Sequence, residues 1–299
     1  MSTVNAGEVA QVRSIWESLQ LPGLIDVHTH FMPKPVLDKV WKYFDNQGPL
    51  VGREWPITYR ADEAQRVDTL RRFGVRAFTS LIYPHKPQMA AWLNQWATQF
   101  ALTTPDCLHT ATFYPEPEAI EYVTAAIDGG VKVFKAHVQV GDYDPNDPLL
   151  EGVWSVIENS GTPVVIHCGS GPMPGTHTGP EQIRTLLRRH PRLTLVIAHM
   201  GMPEYADFLD ISIGHERVRL DTTMVFTSFA EETMPVPAEV LRRLPEHGDR
   251  ILFGSDFPNI PYGYAHAMTA ITALDGIDDD WLRKVFYRNA AELFGLTHS

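Results

Sequence analysis

Eight short apolar, β-branched runs recur along the 299 residues with helix-like stretches between them. This alternation predicts an α/β fold, a (β/α)8 TIM barrel. Two further observations narrow the class. The runs are almost continuously apolar, the pattern of strands covered on both faces of a parallel sheet. No Gly-rich phosphate fingerprint follows the first run, which argues against an open doubly wound sheet.

Taken in order, the first twenty residues end in VRSIWESLQ and read as a short amphipathic helix stopped by Pro22-Gly23. The strand segments follow as LIDVHTH (24–30), GVRAFTSLIY (74–83), CLHTATFYP (107–115), VKVFKAHV (131–138), TPVVIHC (162–168), RLTLVIAHM (192–200), RVRLDTT (217–223) and RILFGSDFP (250–258). Helical stretches separate them, among them ADEAQRVDTLRRF, PQMAAWLNQWATQF, EPEAIEYVTAAID, GPEQIRTLLRRH and PAEVLRRLPEH, most ended by Gly or Pro. With neither repeat nor linker in view, residues 1–23 are expected to form a helical extension and residues 24–299 one barrel domain. The longest insertions, from Phe31 to about Tyr59 and from Gly169 to Gly179, follow strands 1 and 5 on the face where barrels build active sites.

Composition bounds the function classes. At 44% hydrophobic and 20% charged residues, the chain can bury a sizeable core, which excludes disorder. No apolar run approaches ~18 residues, and MSTVNAGEVAQVRS lacks the basic and apolar regions of a signal peptide, so a cytoplasmic protein without a membrane partner is expected. Two cysteines, Cys107 and Cys168, suit a reducing compartment. A net charge of −11 repels phosphate backbones and excludes nucleic acid as a natural partner. The apolar, aromatic helix AAWLNQWATQF suits either an interface in a homo-oligomer or burial in the barrel's outer ring.

The chemistry gathers at strand ends. Period 2 in Asp26-Val27-His28-Thr29-His30 sets Asp26, His28 and His30 on one face, so two imidazoles can point at one ion. Strand 4 carries Lys135 and His137 on a shared face, strand 5 ends at His167, strand 6 at His199 and strand 8 at Asp256. Histidine with carboxylate suits a divalent ion such as Zn²⁺. Polar groups ending apolar strands are costly to bury unpaired, yet they end several strands at one predicted face.

The motifs DVHTH, FKAH, VIHCG, AHMG and GSDFP, in that order, resemble the amidohydrolase superfamily, and within it the amidohydrolase-related branch of metal-dependent hydrolases and aminocarboxymuconate-semialdehyde-type decarboxylases. The closing RNAAELFGL (288–296) resembles the ending common in that branch, so the likeness spans about residues 24 to 296. It implies that His28, His30 and Asp256 hold one metal and that His167 is a further ligand. His199 is implied to be either a ligand of a second metal or a partner of the nucleophilic water. Lys135 matches the lysine that is carboxylated and bridges two ions in binuclear members; read from the residues alone, it is equally an ammonium paired with a carboxylate such as Asp26 or Asp256, or with a substrate acid.

The implied cofactor is one or two divalent ions, Zn²⁺ foremost with Mn²⁺ the alternative, and the implied activity is a hydrolase directing a metal-activated water at an amide, lactone or ester bond of a small organic acid. Asp256 is then the proton shuttle. A carboxy-lyase acting on an aromatic or unsaturated acid uses the same site, and a barrel that has lost catalysis and only binds is the third reading. His177 and Tyr83, near the predicted rim, are the candidate substrate contacts. The insertion after strand 1 adds Phe31, Lys34, Trp41 and Arg53, a mix of aromatic and cationic groups suited to a planar carboxylate.

Overall fold

Each of the eight predicted strand segments holds β-structure in the computed structural model, which describes residues 5–46 and 52–296. Residues 47–51 of the insertion after strand 1 and His298 lie outside the described residues. The strands are β1 (Leu24–Asp26), β2 (Val75–Thr79), β3 (Cys107–Leu108), β4 (Thr110–Thr112), β5 (Val133–His137), β6 (Val164–His167), β7 (Leu195–Ile197), β8 (Val218–Asp221) and β9 (Ile251–Leu252). The third predicted segment is divided between β3 and β4, and most strands are shorter than predicted. Beyond β1, a side chain takes over part of the backbone's hydrogen bonding from the regular ladder. His28 N donates to Asp26 Oδ1 at 3.1 Å.

Two compact units are present, Met1–Phe78 with Thr222–Ser299, and Thr79–Asp221. In the first, β1 and β2 pair in parallel, Asp26 opposite Phe78. The chain beyond β1 runs beside the chain beyond β9: Val27 N donates to Phe253 O, Asp256 N to His28 O and His30 N to Phe257 O, at 2.7–3.0 Å. Phe73, Phe253, Phe257 and Tyr264 pack as a ring cluster, Phe73 stacked on Tyr264 at 4.8 Å. The N-terminal helix Ala6–Ser18 docks through buried Val12 and Trp16. The Trp16 indole donates to Phe73 O at 2.9 Å and lies so close to Gly74 that a Cβ there would sit 2.6 Å from the ring. The helix Glu63–Phe73 begins with a reciprocal capping box between Asp62 and Gln65. Asn289, inside the RNAAELFGL segment, donates both amide hydrogens to the carbonyls of Gly248 and Ile251, which secures the start of β9.

In the second unit β4, β5, β6, β7 and β8 lie side by side in parallel, with Lys135 opposite Val165 and His137 opposite His167. The helices Ala119–Asp128, Glu151–Ser160, Pro180–Arg189 and Tyr205–Gly214 alternate with these strands as the periodicity predicts. Strands β5, β6 and β7 are buried at every position; the Val and Ile runs of β6 and β7 anticipate this, whereas in β5 it also encloses Lys135 and His137. Among the described residues, no helix is long and apolar enough to cross a membrane.

Candidate metal centre

His28, His30 and Asp256 come together in the first unit. Their ligand atoms all lie within 4.8 Å of one another, and among the described residues they are the only group of three or more His, Cys, Asp or Glu donors so placed. Asp256 Oδ1 is 2.8 Å from His30 Nε2 and 3.6 Å from His28 Nε2, and the two imidazoles meet edge to face at 5.1 Å. All three residues are less than a tenth exposed. The histidines share a face through the period-2 alternation of an extended chain. Asp256 arrives differently: its φ of 71° lies in the left-handed region, an uncommon conformation for a residue with a Cβ.

The support beneath this triad is Asp26, fully buried. Its Oδ1 accepts from His28 N and Ser255 N, both at 3.1 Å, and its Oδ2 accepts from the Ser255 hydroxyl at 2.6 Å and the Tyr264 hydroxyl at 2.8 Å. Burial pushes the Asp26 carboxyl up to about 7, and these four donors pull against that rise. Asp26 was expected to share the histidines' face. Its carboxylate is instead engaged in joining the stretch that carries His28 and His30 to the stretch that carries Asp256. Sequence reasoning missed this bracing role, and the signal for it was slight: an acid buried inside an apolar strand must find several donors.

The remaining predicted residues belong to the second unit. Lys135 is fully buried on β5. His137 stacks on His167 with ring centroids 4.1 Å apart and planes 11° from parallel, a direct outcome of their in-register pairing. His199 meets His167 edge to face at 4.8 Å. The His167 Nε2 lies 3.1 Å from the Gly171 carbonyl. A carbonyl only accepts, so Nε2 is the donor in this contact. The His137 ring accepts from Val140 N through Nδ1 and thereby caps a short turn. His199 and Met200 adopt left-handed φ values of 54° and 50°, and His199 N donates to Asp221 Oδ1 at 2.9 Å. Asp221, which carries no sequence signal of its own, thus secures a strained turn.

Tyr83 is half-buried, 4.7 Å from the His137 ring and stacked on His85 at 5.5 Å. His177 is half-buried in the loop after β6. Lys34 and Arg53, the two cations singled out in the insertion after strand 1, are already engaged. Lys34, largely exposed, pairs with Asp38 at 2.6 Å, while Arg53 pairs with Glu232 at 2.8 Å and donates to Phe229 O at 2.6 Å.

The amidohydrolase family model matches residues 25–296. No curated protein matches the chain in sequence. Among solved structures, an uncharacterized TIM-barrel protein from Bordetella bronchiseptica is 19% identical with a TM-score of 0.74, the match covering 91% of this chain and 98% of that one. A 5-carboxyvanillate decarboxylase from Novosphingobium aromaticivorans, complexed with manganese and 4-hydroxy-3-methoxy-5-nitrobenzoic acid, is 14% identical with a TM-score of 0.61, over 92% and 97% of the two chains. A probable 2-pyrone-4,6-dicarboxylic acid hydrolase from Acinetobacter baumannii, with citric acid bound, is 15% identical with a TM-score of 0.59, over 92% and 100%. The fold class is the (β/α)8 TIM barrel, as the alternation of strands and helices predicts.

Proposed function

Because the chain belongs to the amidohydrolase family, we propose that it is a metal-dependent hydrolase that cleaves an amide, lactone or ester bond of a small organic acid. The observation that carries this reading is the buried convergence of two imidazole nitrogens and one carboxylate oxygen at His28, His30 and Asp256. That donor set fits a borderline divalent cation, Zn²⁺ foremost or Mn²⁺, better than a hard ion that prefers oxygen alone. When bound, such an ion polarises a carbonyl and lowers the pKa of water to roughly 7.

The chain's own residues do the rest. His28 Nε2, His30 Nε2 and Asp256 Oδ1 are the atoms that would hold the ion, and the left-handed turn at Asp256 presents its carboxylate to the two imidazoles. Asp256 takes the proton from the attacking water and returns it to the leaving group as the bond breaks. The same proton chemistry serves a second reading, a carboxy-lyase in which Asp256 delivers a proton to the substrate carbon before CO₂ leaves. The solved decarboxylase with manganese and a nitrobenzoic acid is similar in fold and motivates it.

By the resemblance of their motifs, the proposal gives His167 a ligand role and His199 the role of ligand or water partner. Lys135 is carboxylated if two ions bind and an ordinary ammonium if one binds. Tyr83 and His177 are proposed as substrate contacts.

Metal equivalents per chain, measured on protein purified without chelator, test the reading first. About two supports a carboxylated Lys135, about one an ammonium, and none after divalent ions are added back overturns the metal centre. Asp256→Asn should cut turnover by roughly 10²–10⁴ with the fold intact. Retained turnover removes Asp256 from the shuttle role. A panel of lactones and esters, run beside an assay for CO₂ release, separates hydrolysis from decarboxylation.

A further inference from the structure

Arg66 stands out in the first unit because its charge is buried without an acceptor. The residue is 2% exposed, and neither Nε nor Nη1 has a hydrogen-bond partner. Its guanidinium carbon lies 5.0 Å from the Phe31 ring centroid and 5.7 Å from that of Trp41. The acids nearest along its own helix, Asp62 and Glu63, attract it at longer range, and the Asp62 carboxylate is engaged in capping Gln65 N. Aromatic faces compensate a buried cation only in part; a guanidinium in such surroundings is costly until an anion or a strong acceptor reaches its N–H groups.

The position is connected to the triad at both ends. Phe31 directly follows His30. Trp41 donates its indole N–H to Asn259 Oδ1 at 3.0 Å, and Asn259 N donates to Asp256 O at 2.8 Å. Among the nearby cations, Lys34 is paired with Asp38, Arg53 with Glu232, and Arg60, which also lies over the Trp41 ring at 5.5 Å, with Asp45.

We propose that Arg66, flanked by Phe31 and Trp41, is the anchor of a carboxylate-binding subsite beside the His28–His30–Asp256 centre. The inference rests on the reading above that the substrate is an organic acid, and it assigns the residue that recognises the acid group. A planar carboxylate can lie in the guanidinium plane, where the N–H donors point, and pair with it in the two-pronged manner that suits an arginine. A tetrahedral oxyanion fits this arrangement less well. With a net charge of −11 over the whole chain, attraction of an anion must be local, and a desolvated arginine supplies it.

The test follows the Arg66 Nε–H resonance in full-length, ¹⁵N-labelled protein, assigned by its loss in Arg66→Met. Acetate is titrated against chloride at matched ionic strength, with the protein as purified and again after metal removal. The expected result is a saturable acetate shift that chloride does not reproduce and that survives metal removal, together with an acetate-dependent rise in Tm that Arg66→Met abolishes. An unmoved resonance, an equal response to chloride, or acetate binding that persists in Arg66→Met overturns the proposal. Should Arg66→Met fail to fold, the wild-type titration and the milder Arg66→Lys decide the question. A protein that binds no metal yet shows the acetate shift would sink the hydrolase reading and leave this subsite standing.

Discussion

The Ser255 hydroxyl donates to Asp26 Oδ2 at 2.6 Å across 229 residues of sequence. This bond, with three others to the same carboxylate, fixes the separation between the stretch carrying His28 and His30 and the stretch carrying Asp256. Burial pushes the Asp26 carboxyl up to about 7, so above that pH it is ionised, and hydrogen bonds to ionised groups contribute about 1.5–3 kcal/mol each. Ser255→Ala is therefore expected to lower stability by about that amount in urea unfolding and to weaken metal retention on dialysis. Unchanged stability and unchanged metal retention would show that the three remaining donors suffice.

Close backbone approach governs a second site. A Cβ on Gly169, two residues after His167, would lie 2.5 Å from Met202 O and 2.6 Å from Gly201 C. Backbone cannot yield as a flexible side chain can, so Gly169→Ala should destabilise by about 1–3 kcal/mol as an overpacking change. Urea unfolding measures the loss, and wild-type stability would mean that the two turns can separate freely.

The two thiols give a pH prediction. Burial pushes Cys107 up to about 12, and burial is also the main cause of the rise at Cys168. Both should resist alkylation in the native protein at pH 8–9, where a free thiol of pKa ~8.5 reacts, and should react on unfolding. A thiol held protonated only in the folded state stabilises the fold fully below its unfolded pKa, and that contribution is lost as pH rises from about 9 through 12. Stoichiometric labelling at pH 8 without unfolding would contradict this.

Tyr262 carries a buried hydroxyl without a hydrogen-bond partner. The Thr227 hydroxyl faces it without hydrogen-bond geometry and donates instead to Met224 O at 2.6 Å. Deleting an unsatisfied buried polar atom removes a desolvation cost, so Tyr262→Phe should be neutral or stabilising by up to about 1 kcal/mol. A fall in Tm would reveal a structural bond to this hydroxyl.

Much of the fold was legible in one dimension because its main cause is one-dimensional. Period-2 alternation in DVHTH dictates that His28 and His30 face the same way, and continuous Val and Ile runs dictate strands buried on both faces. The strand ends were less legible. The expected strand 24–30 stops at Asp26 as a regular ladder, because the Asp26 carboxylate, not a neighbouring strand, accepts His28 N. Arg53 read as a cation available to a substrate acid, yet Glu232, far along the chain, holds it, whereas Arg66, within a helix, has no acceptor at Nε or Nη1.

The sequence by itself determined the alternation of strands and helices, the residue types able to hold a divalent ion, and the shared face of the two histidines, since each follows from local spacing and side-chain chemistry. Tertiary structure alone decided that Asp256 meets His28 and His30, that Asp26 braces them, and that Arg66 is left without a counter-ion. Those outcomes depend on which distant segments pack together and on which polar groups burial removes from water, and neither is encoded in any local window of the chain.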